Sequence, residues 1–145
     1  MSVNKHNAEG YRDPTTYEAL TNIEQKEKVA RREAERRKYM PKVYIISPFA
    51  GDVENNIVKA RRYCLFAVKQ GCIPYASHLL FPQFLCDDVP AERELGLFMG
   101  LVYLDGCREA WVFGDYISSG MKAEIDRAVK RGITIRYFNE NCEEV

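Results

Sequence analysis

Apolar residues along the chain form short compact runs, separated by longer stretches in which they recur at helical spacing. The runs at 43–46 and 110–113 are rich in β-forming residues, which favours buried strands of a parallel sheet. Residues 72–75 and 133–138 predict two further strands. Pro74 lies in the first of these two, and a proline suits an edge strand better than a central one.

Three stretches between these runs show helical periodicity, at about 53–70, about 91–104 and 121–131. Gly71 and Gly132 follow the first and the last, where a glycine typically ends a helix. The resulting order β, α, β, α, β, α, β has short links. It predicts an α/β fold, a three-layer Rossmann-like sandwich with a mainly parallel sheet of four to five strands in the flavodoxin-like order 2-1-3-4.

Residues 1–40 differ in composition from residues 41–145, and we expect a charged helical arm followed by one α/β domain. Asp13-Pro14 and the capping box at 15–18 predict the start of the helix in the arm. Residues 24–38 are almost wholly charged or alanine, with acidic residues mixed among the basic ones. This pattern favours a solvated helix over an arm that binds nucleic acid, and packing against a neighbouring subunit is a third possibility.

The overall charge is balanced, with 21 basic and 21 acidic residues among 145, which argues against nucleic acid and anionic membranes as partners. No apolar run approaches the ~18 residues of a membrane span, and the polar start lacks the apolar core of a signal peptide. We therefore expect a soluble, cytoplasmic protein. The five cysteines include no C-x-x-C pair, so neither a disulfide framework nor a zinc site is expected, and no cofactor is predicted.

In the predicted strand order, the loops after strands one and three meet at the switch point, where open α/β sheets bind ligands. The loop after strand one carries Ser47, Pro48 and Phe49, and the loop after strand three begins with Gly114 and Asp115. The sequence predicts one crevice that brings together Ser47, Pro48, Phe49, Asp115, Ser118, Gly120 and Glu124.

Glu124 lies on the flank of the apolar stripe of the last helix, an unusual position for a carboxylate. One interpretation is an acidic residue that interacts favourably with the helix dipole. The other starts from Ser118, Ser119 and Gly120, which place small residues and free N–H groups at the start of this helix, where phosphate is stabilised. On that interpretation, an anion seat lies one turn from a carboxylate.

His78 is the only histidine after the arm. A lone histidine at a strand end is more often a hydrogen-bonded structural residue than a catalyst, and the absence of a matched second ligand predicts no metal site. The helix at 91–104 has an unusually wide apolar face, and Gly96 and Gly100 would permit close approach of another backbone. Because such faces often serve interfaces, we expect a homodimer or a larger homo-oligomer.

Two blocks of sequence carry a resemblance to a known family: Val-Tyr-Ile-Ile-Ser-Pro-Phe at 43–49, and S-G-M-x-x-E-I-x-x-A-x-x-x-G at 119–132. Across about 42–138 the chain resembles the nucleoside 2-deoxyribosyltransferase-like superfamily, and it looks most like small phage-borne or bacterial members of unknown function. The second block is similar to the family's G-x-x-x-E-x-x-x-A signature. Characterised relatives include deoxyribosyltransferases and 2′-deoxynucleoside 5′-phosphate N-hydrolases, so the resemblance implies a nucleoside or nucleotide as the small-molecule partner.

The resemblance implies that Glu124 is the nucleophile and Tyr44 its neighbour, and that Ser118, Ser119 and Gly120 hold a 5′-phosphate. Cleaving an N-glycosidic bond also calls for an acid that protonates the departing base, for which Asp115 and Asp105 are candidates, although both also suit turns or caps. The expected substrate contacts are Ser47, Pro48, Phe49, His78, Gly114, Ser118, Ser119, Gly120 and Met121. Bulky Met121 and Lys122 depart from the transferase pattern. The alternatives are a non-catalytic nucleotide-binding or sensing module of the same fold and an interaction protein that acts through the arm.

Overall fold

The computed structural model describes residues 14–145, and the chain divides into two compact units, 1–40 and 41–145. In the first unit, helix α1 (Pro14–Lys38) begins with a proline, which suits the first turn because its missing N–H would have no partner there. The predicted N-cap Asp13 lies outside the described residues.

Charged side chains one turn apart stabilise α1. Glu24 lies 3.9 Å from Lys28, and Glu33 lies 3.6 Å from Arg37. Pairs of this kind contribute only about 0.3–0.5 kcal/mol each when exposed. These pairs lie within the helix, and the solvated role of the arm stays a prediction.

The second unit contains a sheet of four parallel strands: β1 (Lys42–Ile46), β2 (Ile73–Tyr75), β3 (Glu109–Phe113) and β4 (Thr134–Phe138). Their order is β2-β1-β3-β4. This confirms the predicted parallel sheet, the 2-1-3-4 order and the edge position of the strand that contains Pro74.

Three helices cover this sheet: α2 (Val53–Lys69), α3 (Pro90–Asp105) and α4 (Ser119–Lys130). Alternate residues of each strand face opposite layers, as the pleat requires. Residues of β1 and β3 pack on α2 on one side and on α3 and α4 on the other, so the three-layer sandwich is confirmed. The buried side chains are Val43, Ile45, Tyr63, Trp111 and Phe113 on the first side and Tyr44, Ile46, Leu104, Val112 and Met121 on the second.

The segment after β2 folds into two 3₁₀ turns, Ser77–Leu79 and Phe81–Gln83. Pro82 lies near the start of the second turn. The turn has only three residues, so the N–H that proline lacks interrupts no longer helix beyond it. The segment remains close to the sheet, because Ser77 and Phe81 are both buried. It thereby brings polar and aromatic side chains to the carboxyl ends of β1 and β2.

The wide apolar face of α3 is only partly used within the chain. Leu104 is fully buried against the sheet, whereas Leu95, Phe98, Val102 and Tyr103 are 47–63% exposed. Gly100 is buried, and it faces Tyr44 and Ser77 of the same chain rather than an open surface. Among the elements of residues 41–145, α3 thus has one face packed on the sheet and one apolar face that none of the others covers.

Both outer strands of the sheet have distinctive edges. At β4, residues after the strand turn back along it: the Val145 N–H donates to the Tyr137 carbonyl, and Arg136 pairs with Glu144 at 2.8 Å. At β2, the Ile73 N–H donates inward to the Pro41 carbonyl, so position 74 faces outward, and its proline has no N–H. No helix among residues 14–145 has both the length and the apolar character needed to cross a membrane.

Candidate functional site

A cavity of about 500 Å³ lies at the carboxyl ends of the strands, between the first turns of α3 and α4. It reaches down to β1 and is closed on one side by the two 3₁₀ turns. Its lining includes Tyr44, Phe49, Ser77, His78, Phe81, Glu92, Arg93, Ser118, Ser119, Gly120, Met121 and Glu124. Parallel α/β sheets commonly bind ligands at this edge.

Glu124 lies in the second turn of α4, between the buried Met121 and Ala128, and is only 2% exposed. Its Oε2 atom makes no hydrogen bond to any described residue. Burial disfavours the charged carboxylate and raises the pKa of Glu124 to about 8, although the nearby Tyr44 hydroxyl acts in the opposite direction. A buried carboxyl with an unused oxygen and a raised pKa is typical of a functional site.

Tyr44 is fully buried on β1, on the face of the sheet that carries α3 and α4. Its hydroxyl lies near the Glu124 carboxyl and the Ser77 side chain, yet it makes no hydrogen bond of good geometry to either. Burial raises the pKa of the Tyr44 phenol, and the Glu124 charge raises it further, so the phenol keeps its proton. Tyr44 can therefore donate to an ionised Glu124.

The start of α4 offers hydrogen-bond donors to the cavity. Ser118 is the N-cap residue, and its Oγ accepts from the Met121 N–H at 3.2 Å. The N–H groups of Ser119 and Gly120 donate to no acceptor within the described part of the chain. Free N–H groups and the positive end of the helix dipole favour an anion at this position.

His78 and Phe49 form an aromatic wall of the cavity. Their rings stack with centroids 5.1 Å apart and an angle of 14° between planes. The His78 Nε2 lies 2.8 Å from the Ser47 carbonyl oxygen, and because a carbonyl only accepts, Nε2 carries the proton. Burial lowers the pKa of His78, which favours the neutral ring with Nδ1 as an acceptor.

The predicted single crevice is divided in two in the structure. Phe49, Ser118, Gly120 and Glu124 line the large cavity, whereas a second cavity of only about 40 Å³ is lined by Ser47, Pro48, Gly114, Asp115, Lys59 and Glu140. The alternation of β1 explains the division, because Ser47 continues the face of Val43 and Ile45 toward α2 while Tyr44 faces the other layer. Ser47 still contacts the large cavity indirectly, through its carbonyl bond to His78.

Asp105 lines neither cavity. It ends α3 and accepts two hydrogen bonds from the Arg127 guanidinium, at 2.8 and 2.7 Å, with Arg131 at 3.3 Å. The hydrogen bonds from Arg127 lower the pKa of Asp105. The structure therefore places Asp105 in an ion pair between α3 and α4, away from Glu124.

Several cavity residues had no role in the sequence prediction. They include Ser77, Asp87, Glu92, Arg93 and Glu94. Their position after β2 was a usable signal, because the carboxyl end of β2 lies at the same sheet edge as those of β1 and β3. Within residues 14–145 no three His, Cys, Asp or Glu side chains are grouped so as to hold a metal ion.

Comparison with known proteins identifies a family and relatives in fold. Residues 41–138 match the model of a domain of unknown function, DUF7768. No curated protein sequence matches the chain. A solved structure similar to this one is a 2-deoxyribosyltransferase from Bacillus psychrosaccharolyticus, a psychrotolerant bacterium, described as a biocatalyst for the synthesis of nucleosides. The TM-score is 0.57 at 14% sequence identity, over 68% of this chain and 72% of the other, and at this identity the likeness shows the fold alone.

Proposed function

The chain belongs to the DUF7768 family, and from this premise we propose that it breaks the N-glycosidic bond of a (deoxy)nucleoside or nucleoside 5′-monophosphate, or transfers the 2-deoxyribosyl group, with Glu124 as the nucleophile. One observation carries the proposal: Glu124, buried and with an unpaired oxygen, lies beside Tyr44 at the floor of the cavity. The similarity in fold to a 2-deoxyribosyltransferase supports the same reaction class. The cavity volume of about 500 Å³ lies within the range of roughly 300–1,000 Å³ usual for small-molecule sites.

The reaction would proceed in two steps. A Glu124 carboxylate oxygen attacks C1′ of the sugar, the C1′–N bond breaks, and its electron pair leaves with the base nitrogen, which takes up a proton. In the second step a water oxygen, or the nitrogen of another base, attacks C1′ and gives up a proton, while the bond from C1′ to the Glu124 oxygen breaks and its electron pair returns to the carboxylate. Either route returns Glu124 to its starting form.

The nucleophile must be ionised, and the raised pKa of Glu124 works against this. The Tyr44 hydroxyl favours ionisation, because a hydrogen bond donated to a carboxylate stabilises the charged form. A ligand that donates to the unused Oε2 would act in the same direction. Tyr44 would therefore hold the carboxylate ready for attack.

The departing base would need a proton from another group. Asp115 and Asp105 have no support in this role from the cavity's geometry, since neither lines it. Asp87, Glu92 and Glu94 do line the cavity. The proton donor is thus better sought in the segment that leads into α3.

Two other features of the cavity suit a nucleoside. Stacked Phe49 and His78 offer an aromatic surface to a base, an interaction worth about 1–3 kcal/mol per base in nucleic-acid binding. The free N–H groups of Ser119 and Gly120 offer a seat to a 5′-phosphate. Such an arrangement would place the sugar, between base and phosphate, near Glu124.

A non-catalytic nucleotide-binding module is the second candidate. The pKa of Glu124, about 8, favours it, because a carboxyl that is mostly protonated at neutral pH binds as a hydrogen-bond donor rather than attacking as an anion. Binding would still use the same cavity. The two candidates differ only in whether free base is released.

The test is incubation of the purified protein with a panel of deoxynucleosides and their 5′-monophosphates, with and without an acceptor base, followed by chromatography for free base and new nucleoside. We expect release by the wild type and none by Glu124→Gln. Asp126→Asn is the matched control, because Asp126 lies on the exposed face of the same helix and, among residues 14–145, pairs with Lys122 alone. Saturable binding with no release would support the binding module, and release that persists in Glu124→Gln would exclude Glu124 as nucleophile.

A further inference from the structure

Gly100 lies where three elements of the domain meet at a single point. A Cβ atom built on Gly100 of α3 would lie 2.8 Å from the Tyr44 hydroxyl oxygen of β1. It would also lie 3.4 Å from Cβ and 3.7 Å from Oγ of Ser77, the first residue of the 3₁₀ turn after β2. Real Cβ atoms essentially never come within 3.0 Å of such an atom, so with any larger residue at position 100 either the Tyr44 hydroxyl or this part of α3 must shift.

The position of this hydroxyl matters because it lies beside Glu124. Both groups are buried, and neither Tyr44 Oη nor Glu124 Oε2 has a well-formed hydrogen bond. The rigid Tyr44 ring is held in the core, so small shifts of its tip decide whether the hydroxyl reaches the carboxyl or moves away. The Ser77 side chain also lies near this hydroxyl and carries an O–H group that can donate to its oxygen.

We propose that Gly100 and Ser77 are positioning residues, which hold the Tyr44 hydroxyl against the Glu124 carboxyl so that it donates to the ionised form. Gly100 leaves the space that the hydroxyl occupies, and with a small shift the Ser77 hydroxyl would donate to the Tyr44 oxygen and direct the phenol proton toward Glu124. The geometry of this arrangement stands independently of substrate. Only its consequence for turnover rests on the function proposed above.

Gly96, one turn earlier on α3, provides the contrast. A Cβ on Gly96 would lie 3.6 Å from Leu85 Cδ1 and 3.9 Å from Phe81 Cβ, which are ordinary van der Waals distances. Both glycines gain the same helix propensity on substitution by alanine, about 1 kcal/mol. A difference between the two alanine variants therefore reports the contact with Tyr44 and not a general effect on the helix.

The test is a titration of the Glu124 carboxyl by ¹³C NMR in protein labelled at glutamate, with the Glu124 signal assigned by its loss in Glu124→Gln. In the wild type we expect a midpoint near pH 8, in line with the raised pKa of Glu124. The groups facing the carboxyl are the phenols of Tyr44 and Tyr75, and the charged side chains elsewhere in the cavity are Asp87, Glu92, Arg93 and Glu94. We expect the midpoint to move to higher pH in Gly100→Ala and Tyr44→Phe, to move less in Ser77→Ala, and to stay in place in Gly96→Ala.

A double variant keeps the test decisive if Gly100→Ala folds poorly. Tyr44→Phe removes the oxygen that the new methyl group would meet, so Tyr44→Phe/Gly100→Ala should melt at a higher temperature than Gly100→Ala alone. The midpoint of the Glu124 titration should also be the same in Tyr44→Phe/Gly100→Ala as in Tyr44→Phe alone. An unchanged midpoint in Gly100→Ala, or a double variant no more stable than Gly100→Ala, would overturn the role of Gly100, and an unchanged midpoint in Ser77→Ala would overturn that of Ser77.

These titrations use no substrate, so their outcome is independent of whether the protein cleaves nucleosides. Where base release is found, a second readout applies. The rise of kcat/KM with pH should move to higher pH in Gly100→Ala and stay in place in Gly96→Ala, because attack needs the ionised carboxylate. A uniform fall in kcat with no change in the pH profile would indicate a merely structural role.

Discussion

His78 Nε2 lies 2.8 Å from the carbonyl oxygen of Ser47, so the segment after β2 is tied to the residue that follows β1. We predict that His78→Phe keeps the ring stack with Phe49 but destabilises the protein by about 1–3 kcal/mol, because a buried carbonyl loses its donor. Chemical denaturation of both proteins at pH 8 measures the difference. Equal stabilities would show that the carbonyl finds another donor.

The lowered pKa of His78 predicts that the stability of the protein depends on pH. In the unfolded chain His78 takes up a proton near its ordinary pKa of 6.5, whereas in the folded chain it does so only at a lower pH. His78 therefore contributes stability above pH 6.5 that is lost as the pH falls toward its folded pKa. Two-dimensional ¹⁵N NMR should show a neutral ring with its proton on Nε2 at pH 6.5, and a half-protonated ring at that pH would contradict the prediction.

The raised pKa of Glu124 predicts that the stability of the protein depends on pH in the opposite direction. Its pKa is about 8 in the folded protein against 4.5 for an unperturbed carboxyl, so the folded state binds the proton more tightly. Below pH 4.5 the contribution of this group to the free energy of unfolding is fully present. It is lost as the pH rises from 4.5 through 8, at about 1.4 kcal/mol per pH unit and by several kcal/mol in total. Urea unfolding of wild type and Glu124→Gln between pH 5 and pH 9 should show a gap in stability that widens in favour of the variant. Parallel curves would mean that Glu124 is not buried in its neutral form.

The start of α4 predicts a preference for phosphate. If the free N–H groups of Ser119 and Gly120 seat an anion, deoxynucleoside 5′-monophosphates should bind more tightly than the same nucleosides. Ser119→Asp should reduce that preference by introducing a competing negative charge, whereas Ser119→Ala keeps the N–H group and should retain it. Calorimetric titration of both ligands with each protein measures the affinities. If the wild type binds the monophosphate and the nucleoside with equal affinity, the start of α4 is not a phosphate-binding site.

The ion pair that Asp105 forms with Arg127 and Arg131 predicts that Asp105 contributes to stability rather than to the chemistry of the cavity. Asp105→Asn loses the charge that Arg127 and Arg131 share, so we expect a lower melting temperature and an unchanged titration of Glu124. Differential scanning calorimetry together with the NMR titration tests both parts. Loss of base release in Asp105→Asn without loss of stability would instead support the acid role that the sequence suggested.

The exposed apolar face of α3 predicts self-association. Phe98 is 63% exposed and lies on the same helix as the exposed Leu95 and Val102, so a second copy of the chain would bury all three. Light scattering across a dilution series should give a mass above 16.8 kDa, and Phe98→Glu should reduce it to that value. Glu94→Gln, on the same helix, controls for a change of charge. A wild-type mass of 16.8 kDa at micromolar concentration would show that the chain leaves this face uncovered in solution.

The fold could be predicted largely from the sequence because its signals are local. Compact apolar runs marked β1 and β3, and glycines with positive φ at 71 and 132 ended two helices. The strand order followed from the connection rules for parallel sheets. Each of these signals lies within a few residues of the feature that it predicts.

The site could be predicted only in part because its details depend on contacts between distant segments. The spacing of α4 brought Ser118 and Glu124 to one cavity, but Ser47 points to the other layer of the sheet, as a strict count of the alternation in β1 would have indicated. The pairing of Asp105 with Arg127 joins residues 22 positions apart, and no local pattern reveals it. The approach of Gly100 to Tyr44 depends in the same way on how α3 packs against β1.

The two sheet edges, finally, constrain how copies of this chain can meet. A strand from another molecule could extend the sheet only by pairing with an open edge, the route by which many α/β and β proteins form fibrils. Pro74 withholds a donor on the three-residue β2, and residues 143–145 already occupy hydrogen-bonding positions along β4. Both edges are thereby less available to a further strand, so we expect copies of the chain to meet through the helices rather than by extending the sheet.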